Sequence, residues 1–157
     1  MKTTLLAILL GLAAICLGRA EEQDAAKKDL ALLQGEWSMI SGSADGQSMP
    51  EDSRKQMKRV CKGNETTTTF GNQIFLKAKF TLDPSKTPKM IDYEMTDGFT
   101  KGKKQFGIYE INGDTFRSCF SKAGAERPKD FATQPGDGRT LSVWKRNKSA
   151  EPLPEKK

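Results

Sequence analysis

Through most of the chain apolar side chains recur at every second position. That is the spacing of a strand with one buried and one wet face, not the 3.6-residue spacing of a helix. The clearest case is 73–82, where Ile74, Leu76, Ala78, Phe80 and Leu82 share one face while Gln73, Lys77, Lys79 and Thr81 take the other. Ile91, Tyr93 and Met95 alternate with Asp92 and Glu94 in the same way. The stretch 104–120 reads as two strands joined at Asn112-Gly113, a dipeptide that tolerates the positive φ of a type I′ hairpin turn. A β-branched run over 66–70 is closed by Gly71-Asn72, and 37–41 and 140–146 supply a first and a last strand. These make seven, with 57–62 as the candidate eighth.

Helical signals are few. Residues 49–59 predict one short helix, because Pro50 suits a first helical position, Glu51 and Asp52 the positive helix start, and Lys58 and Arg59 the negative end. Residues 27–33 can coil into a lead-in helix, and 127–131 into a helical turn. Between them Asp83-Pro84-Ser85, Asp97-Gly98 and 134–138 carry turn chemistry. Many short strands in meander order predict an all-β fold, a small antiparallel barrel whose closure hides the strand edges.

The 157 residues amount to one domain. All 12 aromatic residues fall between Trp37 and Trp144, so 34–146 must hold the core. Residues 1–20 read as a signal peptide: Lys2 gives the positive start, 4–17 an apolar stretch, and Gly18-Arg19-Ala20 a small-x-small cleavage site. The apolar stretch is shorter than the ~20 residues of a bilayer span, so the expected product is exported, periplasmic or extracellular, with no membrane span after signal removal. Residues 21–33 form a polar lead-in and 147–157 a disordered tail.

Composition narrows the chemistry. The chain has no histidine, which removes Ser-His and Cys-His catalysis and His-ligated zinc; no cofactor or metal is implied, and the expected protein is not an enzyme. Asp83, Asp92, Glu94, Glu110 and Asp114 could supply a hydrolytic carboxylate pair, but alternating acids on strand surfaces are mostly solvated. Taking Lys2 and Arg19 away with the signal leaves 24 basic against 20 acidic residues, a mild +4 without the dense basic stripe of a nucleic-acid binder. Cys61 and Cys119 remain, a candidate disulfide in an oxidising compartment or else two buried thiols. Lys101, Lys103 and Lys104 cluster near Gly98 and Gly102, but the spacing departs from a phosphate loop and reads as a solvated turn.

Gly35-Glu36-Trp37 opens the first strand and Lys145-Arg146 closes the last. If those strands are neighbours, Arg146 can lie over the Trp37 ring in a cation-π contact worth ~0.5–2 kcal/mol, so Gly35, Trp37 and Arg146 are a candidate structural closure of one barrel end. Parity complicates the pairing, since Leu141 and Val143 share one face and Trp144 and Arg146 the other.

Leu33-Gln34-Gly35-Glu36-Trp37, then 82–89 (LDPSKTPK) with Ile91-Asp92, Gly107-Ile108-Tyr109-Glu110, Gly113-Asp114-Thr115, Cys119-Phe120, Arg127-Pro128, Phe131 and Pro135-Gly136 together form a pattern. It resembles the exported lipocalin-like small-domain family abundant in planctomycete bacteria, and does so over nearly all of 33–146. The resemblance implies a single small antiparallel lipocalin-like β-barrel of 7–8 strands outside the cytoplasm, with no established reaction to carry over. The chain departs from the pattern over 57–69, where Arg59-Val60-Cys61-Lys62 replaces a plainer alternating strand.

If the sheet closes, the inward set includes Ile74, Leu76, Phe80, Ile91, Tyr93, Phe106, Ile108, Phe116 and Val143. An eight-stranded barrel either fills with such side chains or holds one small ligand. The expected function is a monomeric exported binding module holding a small apolar or amphipathic ligand, with a Tyr93 or Tyr109 hydroxyl available to it. The alternative is a filled barrel acting through its outer surface on a protein or envelope component.

Overall fold

The computed structural model describes residues 21–98 and 100–148. The expected signal peptide, Phe99 and the tail from residue 149 onward lie outside these. Among the described residues the order is α1 (21–33), β1 (Gly35–Ala44), β2 (Gln47–Ser48), α2 (Glu51–Gln56), β3 (Met57–Lys62) and β4 (Glu65–Phe70). Then follow β5 (Gln73–Asp83), β6 (Lys89–Met95), β7 (Lys104–Asn112), β8 (Thr115–Phe120) and β9 (Thr140–Arg146). Every neighbouring pair is antiparallel, and β1 returns to pair with β9 from Trp37↔Arg146 to Ala44↔Thr140, closing eight strands into a lipocalin-like barrel with β2 as a short flap on β1. The eighth strand is 57–62, seated between β1 and β4.

One end of the barrel is plugged by α1. The helix stops where Gly35 takes φ 101°, a left-handed C′ conformation that a side chain would strain, and the chain turns into β1. Leu33 and Trp37 are then fully buried, and the Trp37 indole N–H donates to the Leu33 carbonyl at 3.0 Å. The lead-in is thus part of the core. Tyr109, Phe116, Phe80 and Ile91 fill the barrel above this plug.

Three local expectations are corrected. The helix expected over 49–59 ends at Gln56, with Arg54 and Lys55 as its basic last turn; Lys58 and Arg59 belong to β3, because Met57, Arg59 and Cys61 alternate inward against β4. The β7–β8 turn residues are Gly113-Asp114, since Asn112 still pairs with Thr115 and Gly113 takes the positive φ of 56°. A glycine in the first central position is the arrangement that type II′ turns favour. Residues 127–131 are irregular rather than helical.

Four of the expected inward side chains point elsewhere. Between β4 and β5 the register steps from Thr68↔Leu76 to Thr69↔Ile74, so Phe75 is the extra residue of a β-bulge and Ile74 is turned out, 58% exposed. On β7 the inward parity belongs to Gly107, Tyr109 and Ile111, which leaves Phe106 and Ile108 outside. Arg127 covers the Phe106 ring at 5.2 Å, and Ile108 lies opposite Cys119, whose thiol meets the Ala132 carbonyl in the irregular segment 121–139. That segment blankets the outer wall, so Ile108 is buried without being in the barrel. Val143 pairs with outward Arg117 while Trp144 enters the core.

Candidate functional site

The end of the barrel opposite α1 is not filled. A cavity of ≈ 170 Å³ opens there, predominantly apolar, with Met39, Met49, Met57, Leu76, Phe120 and Trp144 among its walls. The bulge sets its rim: Phe75, 69% exposed, lines the mouth beside Leu76, and Phe70 and Ile74 add exposed apolar surface on the same β4–β5 hairpin. Exposed apolar side chains gathered at a cavity mouth are unusual on a soluble surface and mark an interaction site.

Of the residues expected to line a pocket, the structure brings only Leu76 and Tyr93 to this cavity. Phe80, Ile91 and Phe116 are in the filled core, and Ile74, Phe106 and Ile108 are outside. Tyr93 stacks on Phe120 with ring centroids 4.2 Å apart. Burial pushes the Tyr93 phenol up to about 12, with Arg59 partly offsetting it, so the hydroxyl is a neutral donor and acceptor. Tyr109 is not available to a ligand there: its hydroxyl donates to Asp29 of α1 at 2.7 Å, and Lys89 reaches the same carboxylate oxygen at 2.7 Å. Burial and the Asp29 carboxylate hold the Tyr109 phenol far above its usual range.

Arg59 is the residue that sequence reasoning missed. It faces into the barrel from β3, is 2% exposed, and is the single charged side chain among those lining the cavity. Its Nε donates to the Cys61 sulfur at 3.2 Å, its guanidinium carbon lies 4.5 Å from the Phe116 ring centroid and 5.8 Å from that of Tyr93, and Nη2 is buried with no hydrogen-bond partner. Burial pulls its pKa down, but attraction to Tyr93 and Cys61 outweighs this and the net direction is upward. The guanidinium therefore stays cationic. A signal for it exists in the sequence: Met57 and Cys61 fix an inward parity with a charge at its centre, flanked on the other face by Lys58 and Lys62.

The closure residues meet at the α1 end. Arg146 lies over the Trp37 ring at 4.2 Å, donates through Nη1 to the Gln34 carbonyl at 2.6 Å and through Nη2 to the Leu32 carbonyl, and reaches Asp114 at 3.2 Å. It thereby takes up carbonyls left open at the end of α1 and ties them to the β7–β8 turn. The parity problem resolves because Trp144 and Arg146 are both on the inward face of β9.

Cys61 and Cys119 are free thiols, a correction to the candidate disulfide. Cys61 faces the barrel interior and Cys119 its outside, on strands separated by β9 and β1, so no side-chain path joins them. The acids singled out for a hydrolytic pair lie on the outer wall and turns: Asp92 pairs with Arg127, Glu110 with Arg117, Asp114 with Arg146 and Asp83 with Lys86, while Glu94 is exposed. Among the described residues no group of three Cys, Asp or Glu side chains converges as metal ligands would, and no helix is long and apolar enough to cross a membrane. An exposed groove across β5, β6 and β7 carries Asn64, Lys79, Asp92, Glu94 and Lys104, charges of both signs in contact with water.

Comparison of the chain with protein-family models, with curated proteins and with solved structures finds no significant match, so the geometry of the barrel carries the functional reading.

Proposed function

We propose that the protein is an exported lipocalin-like binding module whose barrel holds a small amphipathic molecule, entered past the β4–β5 hairpin. The observation that carries the reading is the half-filled interior. Aromatic side chains pack the α1 end solidly, whereas the far end keeps ≈ 170 Å³ of apolar space under an apolar rim. Protein interiors are packed to near crystal density, and a void of this size forfeits dispersion contacts that better-filling side chains would recover. Retaining it is the signature of a site. Export rests on the sequence of 1–20, and the motif pattern over 33–146 supports the same assignment.

The test is saturable uptake of a neutral, environment-sensitive apolar dye by the purified protein, compared with a Leu76→Trp variant that fills the cavity from its wall. The expected result is one-site fluorescence enhancement for the native chain and its loss in the variant, with the folded state checked by circular dichroism. Enhancement that does not saturate, or that the variant leaves intact, would move the function to the outer surface.

A further inference from the structure

We infer that the cavity selects a monoanionic ligand, a carboxylate on a small apolar body, and that Arg59 is the counter-ion awaiting it. The inference rests on the binding reading above and names the ligand class.

A charge removed from water is tolerated in proteins when it is paired and hydrogen-bonded. Arg59 is 2% exposed, and among the described residues no Asp or Glu oxygen comes within ion-pair distance of it. No carboxylate is among its neighbours: Nε donates to the Cys61 sulfur, the Phe116 and Tyr93 side chains lie against the guanidinium, and Nη2 has no hydrogen-bond partner. Buried donors are rarely left empty, and this one belongs to a side chain that borders the cavity. The guanidinium fork matches a carboxylate in shape as well as charge.

The other features of the chamber narrow the class. One cation among otherwise uncharged walls balances one negative charge, which favours a monoanion over a phosphate dianion. Tyr93, Thr68 and Ser118 also border the space, polar side chains beside the one cation. The volume is close to that of engineered cavities of ~150 Å³ that accept a benzene ring, so the enclosed body has about six to eight carbons, and a longer tail would leave past Phe75. Of the other clusters, Asp29, Lys89 and Tyr109 satisfy one another at the α1 end, and Cys119 is sealed beneath the 121–139 segment.

The test is isothermal titration of the purified protein with a series differing only in head-group charge: octanoate, 1-octanol and octylammonium. Charge-assisted hydrogen bonding predicts octanoate at least about tenfold tighter than 1-octanol, with octylammonium weakest. In Arg59→Met the preference for octanoate over 1-octanol should vanish, because the charge that separates the two head groups is gone. Equal affinities for octanoate and 1-octanol in the native chain, or a preference that survives in Arg59→Met, would overturn the anion assignment and leave the binding reading standing. Failure of all three ligands together with the neutral dye would overturn both. Should Arg59→Met not fold, the native series alone decides.

Discussion

Exchanging Arg59 for methionine tests the physical premise without any ligand. Methionine fills much of the same apolar space and removes the charge along with the partnerless Nη2. A buried donor without an acceptor costs about 1–3 kcal/mol, and the exchange recovers that. Against it stands the loss of the guanidinium contact with the Phe116 ring at 4.5 Å, about 0.5–2 kcal/mol, while Tyr93 at 5.8 Å is near the limit of such contacts and adds little. The sulfur contact of Nε is a weak hydrogen bond. The balance runs from a loss of about 1 kcal/mol to a gain of about 2.5 kcal/mol, with stabilisation as the favoured sign, and each kcal/mol shifts Tm by about 3–5 °C in a domain of this size. Urea unfolding at neutral pH measures it, with an unchanged m-value confirming that both chains unfold the same surface. A role as one member of a satisfied buried ion pair predicts instead a loss of about 3–5 kcal/mol on truncation. Destabilisation by more than about 3 kcal/mol would therefore refute the view that this arginine is held at a cost to the fold.

Removing the closure should be expensive: Arg146→Ala gives up the Trp37 contact and the carbonyls of Leu32 and Gln34, so a loss of about 2–4 kcal/mol and faster amide exchange along α1 are expected, and unchanged exchange there would contradict the plug. The chain has two tyrosines, Tyr93 and Tyr109, both with phenols raised above the ordinary value of 10. Raised phenol pKa values stabilise the fold fully below pH 10, and the Tyr93 share is lost as pH climbs from 10 to about 12, at about 1.4 kcal/mol per unit. Absorbance at 295 nm should accordingly show no tyrosinate at pH 10.5 while the protein is folded; half-ionisation of either ring there would disprove the burial. Cys61 and Cys119 should resist alkylation in native buffer and both be labelled after unreduced denaturation, since each is buried and burial pushes the Cys119 thiol up to about 11. A mass two hydrogens short and inert to alkylation would instead reveal a bridge.

What the sequence determined by itself is the eight strands of the barrel, though not the short β2, and the manner of closure. Alternation at Ile91, Tyr93 and Met95 has one reading, because Asp92 and Glu94 cannot go inside. Trp37 and Arg146 likewise announce a shared barrel end through side chains whose natural contact is one another. Parity fails where both faces are apolar or where a residue is inserted. On β7, Phe106 and Ile108 compete with Tyr109 and Ile111, and the choice falls to the segment 121–139, which covers the outer wall and lets apolar side chains be buried there too. On β5 the bulge at Phe75 reverses the face of Ile74, and a bulge is a property of two paired strands that one strand's pattern does not display. Arg59 shows the same limit most sharply. In sequence it suits the end of a helix, where a cation is favoured, and only the pairing of β3 with β1 and β4 turns it inward to stand without a partner beside the cavity. Local preference settles what each segment becomes, whereas which face is buried, and what is left unsatisfied inside, depends on contacts between strands distant in sequence.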